Sequence, residues 1–247
     1  MSIEHPGDLE GMRAASQVTR ETLDALAAAV RSGVTTAELD AIAAAIFEKH
    51  GARSAPALVY GFPGHVLISI NDEIVHGIPG RRALRAGDLV KLDVTVEKDG
   101  FIADAARTVV VGTASSTARK LVTCVEAAFA AGVAVARAGT FVNEIGRAVE
   151  REVRRHGFAV IAGLSGHGVG RTIHEEPTVP NQYHPAQRDV LTEGLVLTIE
   201  PMISAGSGRS VTARDGWTIR TIDGSLSAHY EHTLVVTRDA PMILTAA

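Results

Sequence analysis

The sequence predicts an α+β fold, with helices set against mixed or antiparallel strands. Three observations carry this expectation. Two long helical stretches, residues 8–31 and 116–137, each precede a strand-rich region, 58–111 and 158–237. A helix signature recurs at an offset of 106 residues: Arg31, Gly33, Glu38, His50 and Gly51 are matched by Arg137, Gly139, Glu144, His156 and Gly157. Between two apolar runs, Lys98-Asp99-Gly100 is a strong turn signal for a hairpin.

In the first half, Thr35 and Glu38 have the spacing of a capping box. Leu39, Ile42, Ala43, Ile46 and Phe47 then follow helical periodicity, and Gly51 suits the left-handed stop. The strand 90–96 alternates, and Asp93 and Asp104 are nearly equidistant from the hairpin turn, so they are expected to face each other across the ladder. In the second half, Val142, Ile145, Val149 and Val153 give the helical stripe and Gly157 the stop. Arg154, Arg155 and His156 fall in the last turn, where the helix dipole favours cations. Gly87-Asp88-Leu89-Val90-Lys91-Leu92-Asp93 parallels Gly194-Leu195-Val196-Leu197-Thr198-Ile199-Glu200, each a glycine entering an apolar strand with a carboxylate six residues on. Asp104 and Glu231 each stand before a β-rich run, 108–111 and 233–236. Halves of roughly 24–111 and 130–237, facing each other, would gather four carboxylates about a pseudo-twofold axis. No Pro-, Gly- or Ser-rich linker separates them, so one domain spanning 1–247 is expected.

Bulk composition narrows the classes. Charged residues are 21% and hydrophobic residues 46%, ordinary for a soluble globular protein. A net charge of −4 and a pI near 6.2 give no general surface for nucleic acid or membrane. A single cysteine, Cys124, excludes an internal disulfide and a cysteine zinc finger and favours a reducing compartment. The first residues lack the basic and apolar regions of a signal peptide, and no apolar run is long enough to span a bilayer. A cytoplasmic location is therefore expected. Small size and acidic pI point to a monomer.

Five residues stand out: Asp93, Asp104, His167, Glu200 and Glu231. Each places an ionisable group in an apolar or Gly-flanked stretch, where burial without a partner is costly. Four carboxylates and one imidazole suit a pair of divalent cations, since carboxylates bridge and imidazole favours a first-row transition metal over Ca²⁺ or Mg²⁺. The glycines around His167, in Gly166-His167-Gly168-Val169-Gly170, would let backbone approach a ligand closely. That run is no dinucleotide fingerprint, because Pro177 and Pro180 interrupt any following helix. Gly163-x-Ser165 lacks the second glycine of a nucleophile elbow. His174-Glu175-Glu176-Pro177 has no second histidine for a zinc helix, so His174 reads as an imidazole beside a metal. Glu200 is held extended by Pro201. The histidines His5, His50, His65, His156, His184, His229 and His232 read as structural or surface residues, with His65 and His229 as candidates to line the cleft.

Taken together, these segments resemble the type I methionine aminopeptidase family. The resemblance is carried by Ser69-Ile70-Asn71-Asp72-Glu73-Ile74-Val75-His76-Gly77-Ile78-Pro79, Lys91-Leu92-Asp93-Val94-Thr95-Val96, the Gly166–Gly170 glycine run with its following His174-Glu175-Glu176-Pro177, Thr198-Ile199-Glu200-Pro201-Met202 and Tyr230-Glu231-His232-Thr233, in order and over residues 8–240. It implies the pita-bread fold, a pseudo-symmetric antiparallel sheet with two helix pairs around a dinuclear metal centre. It implies two divalent ions (Co, Mn, Fe, Zn or Ni) held by Asp93, Asp104, His167, Glu200 and Glu231, with Asp104 and Glu231 bridging. His76 and His174 resemble the two histidines that contact substrate, and Glu200 the proton shuttle. The implied reaction removes the N-terminal methionine of nascent chains, preferring a small second residue. Ribosome association would suit such a substrate, although no basic patch in the sequence supports it. Leu67 replaces a pocket cysteine of the family, and Val75, Ile173 and Leu164 also depart from its pattern. Phe62 and Trp217 remain as pocket walls, so Phe62, Leu67, Val75, Ile173 and Trp217 are the expected substrate pocket. The alternatives are a prolidase-like or broader aminopeptidase on the same fold, and a non-catalytic binding protein, which the intact ligand set disfavours.

Overall fold

The computed structural model describes residues 1–246. Its helices are α1 (Pro6–Ala29), α2 (Thr36–His50), α3 (Ala55–Tyr60), α4 (Ser116–Val133) and α5 (Asn143–Arg155). Among the described residues, nine strands form one sheet. Its main path runs Arg53–Ser54, Leu89–Lys98, Phe101–Val110, Glu231–Val235, Val196–Ile199, Ser165–Gly168, Glu175–Pro180, and every pairing is antiparallel. The two halves meet where Phe101–Val110 pairs with Glu231–Val235, in the register Glu231↔Ala106 and His232↔Ala105.

Each half covers one face of the sheet with its own helix pair. Val18, Leu23 and Leu26 of α1 and Leu39 and Phe47 of α2 close over Leu92, Val94 and Val96. Leu121, Val125 and Phe129 of α4 and Ile145, Val149 and Val153 of α5 close over Leu197 and Ile199. Strand pleat explains what remains. With Val90, Leu92, Val94 and Val96 turned to the helices, Asp93 and Thr95 must point to the opposite, concave face.

The repeat is visible in the backbone. Gly33 and Gly139 have φ of 91° and 90°, and their N–H groups donate to Leu84 O at 2.9 Å and Leu191 O at 2.8 Å. Gly87 and Gly194 have φ of 93° and 86° and donate to Val111 O at 2.7 Å and Val236 O at 2.9 Å. A side chain at any of these positions would be strained, so the recurring glycines mark one backbone path used twice. The capping box of Thr35 and Glu38 forms, and Gly51 is left-handed at φ 60°.

Four sequence expectations are revised. Helix α1 lies two residues earlier than 8–31 because Pro6 suits the first turn and Val30 is already extended; α4 stops at Val133. Residues 58–60, the start of the expected strand-rich region, belong to helix α3: Ser54 accepts from Ala57 N at 3.3 Å and Pro56 fits the first turn. A six-residue apolar run carries too little periodicity to separate the two structures. Asp104 lies inside its strand and Glu231 begins one, so the strands that carry the two β-rich runs start early enough to include both carboxylates. Finally, the two-residue turn Asp99-Gly100 (φ 51° and 82°) sets Lys98 opposite Phe101, which pairs Asp93 with Ala106 and Asp104 with Thr95. The two aspartates are diagonal neighbours on one face instead of opposite each other.

Candidate metal centre

Asp93, Asp104, His167, Glu200 and Glu231 converge on the concave face, and all five are buried. Asp104, His167 and Glu231 each bring one ligand atom within 4.8 Å of the others; so do Asp93, His229 and Glu231. Glu231 is common to both groups. Glu200 joins through Oε1, 3.3 Å from His167 Nε2.

Neighbouring strands aim each group. Thr95 Oγ1 donates to Asp104 Oδ1 at 2.9 Å, and Thr198 Oγ1 donates to Glu200 Oε1 at 3.0 Å. Across the seam, Asp104 N donates to Thr233 Oγ1 at 2.9 Å, and that hydroxyl donates back to Asp104 O at 2.8 Å. His167 Nδ1 lies 2.9 Å from Gly168 O. A carbonyl only accepts, so Nδ1 carries the proton and Nε2 turns a lone pair to the carboxylates, the tautomer a metal ligand requires. The glycines flanking His167 serve the sheet. A Cβ at Gly166 would strike Thr198 O and one at Gly168 would strike Glu176 O, so the crowding of neighbouring backbone requires glycine at both positions.

Burial, reinforced by Asp104, raises Asp93, Glu200 and Glu231 well above the usual carboxylate range, and burial raises Asp104 to about 6. Burial first, then His174, lowers His167 to about 4. Among the described residues, the only basic side chains within ion-pair distance of these carboxylates are His167 and His229. Asp93 Oδ1, Glu231 Oε1 and both nitrogens of His229 are buried without a hydrogen-bond partner. Orphaned ligand atoms of this kind, packed among like charges, fit divalent cations.

The other expected site residues line one cavity of about 280 Å³ against this cluster: Phe62, Leu67, Val75, His76, Ile173, His174 and Trp217. Phe62 meets Trp217 edge-on, with ring centroids 5.3 Å apart. His76 has φ 61°, unusual for a side-chain-bearing residue, and is locked there because Gly77 N donates to Ser69 Oγ at 2.9 Å and Gly77 O accepts from Ile68 N at 2.9 Å. That turn aims the imidazole into the cavity. His174 stands at the mouth, its ring 4.3 Å from that of His167.

Two residues escaped sequence reasoning. Tyr60, on α3, lines the cavity and its hydroxyl lies 2.6 Å from His174 Nδ1; nothing in an apolar run singles it out. His229, read only as a candidate to line the cleft, belongs to the ligand cluster. Its position two before Glu231 in an extended stretch was the available signal. His65 lies outside the cavity, with Nδ1 paired to Asp40 Oδ2 at 2.9 Å on the surface.

The model of metallopeptidase family M24 matches residues 10–238. The chain belongs to this family. A methionine aminopeptidase of Clostridium perfringens is 42% identical over 243 residues, 98% of each chain, and methionine aminopeptidase 2 of Bacillus subtilis is 41% identical over 247 residues, 99% of each. The crystal structure of methionine aminopeptidase from Rickettsia prowazekii matches with a TM-score of 0.95 over the whole of both chains at 37% identity. The fold is the pita-bread fold of the M24 metallopeptidases, and the chain is an enzyme of that class.

The M24 assignment makes a linkage prediction. Cations bind the deprotonated ligands, whereas burial raises the carboxyl groups of the metal-free cluster, Asp104 to about 6, so that they take up protons at higher pH than free carboxylates. A raised acid binds more protons folded than unfolded. Its contribution to stability is therefore present below about pH 4 and is lost as pH rises through the folded value. The depressed His167 and His229 act oppositely, but only below about pH 6.5. Cobalt added to metal-free protein should release protons near pH 6, and the rise in Tm on adding cobalt should grow as pH rises through about 6. Potentiometric titration and thermal unfolding read these outcomes; a metal-induced shift independent of pH contradicts them.

Proposed function

We propose that this chain is a single catalytic domain that removes the N-terminal methionine from nascent proteins and peptides, with a preference for a small second residue. The observation that carries this is a buried carboxylate–imidazole cluster forming the floor of a cavity whose walls are Phe62, Leu67, Val75, Ile173 and Trp217. An unbranched, apolar thioether side chain suits such walls. The relatives named methionine aminopeptidase share the chain's full length, which supports the same reading. Asp93, Asp104, His167, Glu200 and Glu231 would hold two divalent cations, with Asp104 and Glu231 shared. When bound, such ions supply Lewis acidity and lower the pKa of water toward neutrality.

The chain's own groups do the rest. His174 Nε2 donates to the scissile carbonyl oxygen as charge develops there. His76 hydrogen-bonds the scissile amide nitrogen from the opposite wall. Glu200, raised in pKa by burial, accepts a proton from water and returns it to the leaving amine. A free α-amino group facing the carboxylates restricts cleavage to the first residue. A cytoplasmic location suits this substrate, and no described helix is long and apolar enough to cross a membrane.

Release of methionine from Met-Ala-Ser, lost on chelation and restored by a divalent metal, tests the proposal. Leu-Ala-Ser and an Ala-Pro peptide separate it from broader aminopeptidase and prolidase-like activity: faster cleavage of either would overturn it. Tyr60→Phe should lower kcat by about 2–10-fold with KM nearly unchanged, the worth of one hydrogen bond of about 0.5–1.5 kcal/mol to His174. A rise in KM alone would make Tyr60 only a pocket wall.

A further inference from the structure

We propose that His229 is a ligand of the metal centre, so that each of the two cation positions carries one imidazole. The proposal rests on the metallopeptidase reading and extends it to a residue outside the five-ligand set.

The geometry around His229 supports this. The side chain is 1% exposed, and neither ring nitrogen has a hydrogen-bond partner. Its backbone is pinned on both sides by Thr108: His229 N donates to Thr108 Oγ1 at 2.9 Å, and that hydroxyl donates to His229 O at 2.8 Å. The ring is thereby held in place without any polar contact of its own. Nε2 lies 3.7 Å from Glu231 Oε2 and 3.8 Å from Glu200 Oε2. These separations are too long for hydrogen bonds. They do match two donors sharing one ion: atoms each about 2.1 Å from a cation are roughly 3.0–4.2 Å apart for bond angles between a right angle and a straight line. The accepted pair obeys the same rule, with His167 Nε2 at 3.3 Å from Glu200 Oε1.

The arrangement is also balanced. Glu200 turns Oε1 toward His167 and Oε2 toward His229. Glu231 belongs to both groups of ligand atoms, with Asp104 and His167 on one side and Asp93 and His229 on the other. A buried imidazole with no partner, set among carboxylates with free lone pairs, is costly unless a cation joins them. An imidazole at each position would shift preference toward borderline first-row ions such as Co²⁺, Zn²⁺ or Ni²⁺ and away from Mn²⁺ and Mg²⁺.

The test is titration of Co²⁺ into the metal-free full chain, read by calorimetry and visible absorption, for wild type, His229→Gln and His229→Leu. Loss of a ligand should weaken one of two cobalt sites by at least about 10-fold and change its absorption, leaving the other unchanged. A crystal structure of the cobalt-loaded wild type should place an ion about 2.0–2.3 Å from Nε2. Should the leucine variant fail to fold, the glutamine variant decides, because it keeps the volume. Two unaltered cobalt sites in a folded variant, or an ion more than about 3 Å from Nε2, overturns the assignment. Those results leave the metallopeptidase reading intact if wild type still binds cobalt and releases methionine; a wild type that binds no cobalt overturns both.

Discussion

Asp104→Ala should remove the metal ions and peptide release in one step. Asp104 is the electrostatic centre of the cluster: it is the leading charged neighbour raising the carboxyl groups of Asp93, Glu200 and Glu231. It also shares a ligand group with His167 and Glu231, and Thr95 and Thr233 fix its side chain and backbone. Truncation deletes one of four negative charges and the ligand proposed to touch both ions. Elemental analysis should fall from about two metals per chain to near zero, and kcat/KM by at least about 10³-fold. The metal-free variant should still fold, since it loses a buried charge that repels its neighbours. A variant retaining two metals would show that Asp104 is not a shared ligand.

His174→Ala should separate metal binding from turnover. His174 lies outside both groups of converging ligand atoms. Its ring packs against His167 and its Nδ1 lies 2.6 Å from the Tyr60 hydroxyl; with that hydroxyl as donor, Nε2 carries the proton that the proposed role needs. A donor aimed at a developing oxyanion is worth about 10²–10³ in kcat. The variant should therefore keep its metal content and bind substrate nearly as before, while kcat drops by that factor. An unchanged rate would reject the role; parallel loss of metal would make His174 a support of the ligand His167.

Much of this site is legible in the sequence because it breaks local rules. Asp93 places a carboxylate on the polar phase of an alternating strand that is buried on both faces, and Glu200 follows directly on a fully buried strand. The duplicated spacing from Gly87 to Asp93 and from Gly194 to Glu200 linked two carboxylates that belong to different halves. Other parts depend on information that short windows lack. Moving the two-residue turn by one position, from 98–99 to 99–100, decides whether Asp104 faces Asp93 or Thr95. Helix α3 could not be told from a strand, and Tyr60 reached the site only because α3 turns it there. His229 looked like any histidine until the packing around Thr108 left its ring without a partner. The crowding of neighbouring strands that requires the glycines around His167 is likewise invisible in the sequence.

The seam between the halves has a further consequence. Asp93 and Asp104 come from one half and His167, Glu200 and Glu231 from the other, and within the main sheet the register joining the halves is two residue pairs long, with a second short pairing of Glu73–Val75 with Ile219–Thr221 beside it. Cations shared among these five residues would therefore also act as a rivet, adding a cross-link between the halves to the short ladders that join them. Starvation for metal would then loosen the molecule along its midline as well as silence it, and amide exchange should quicken first in the strands that meet there.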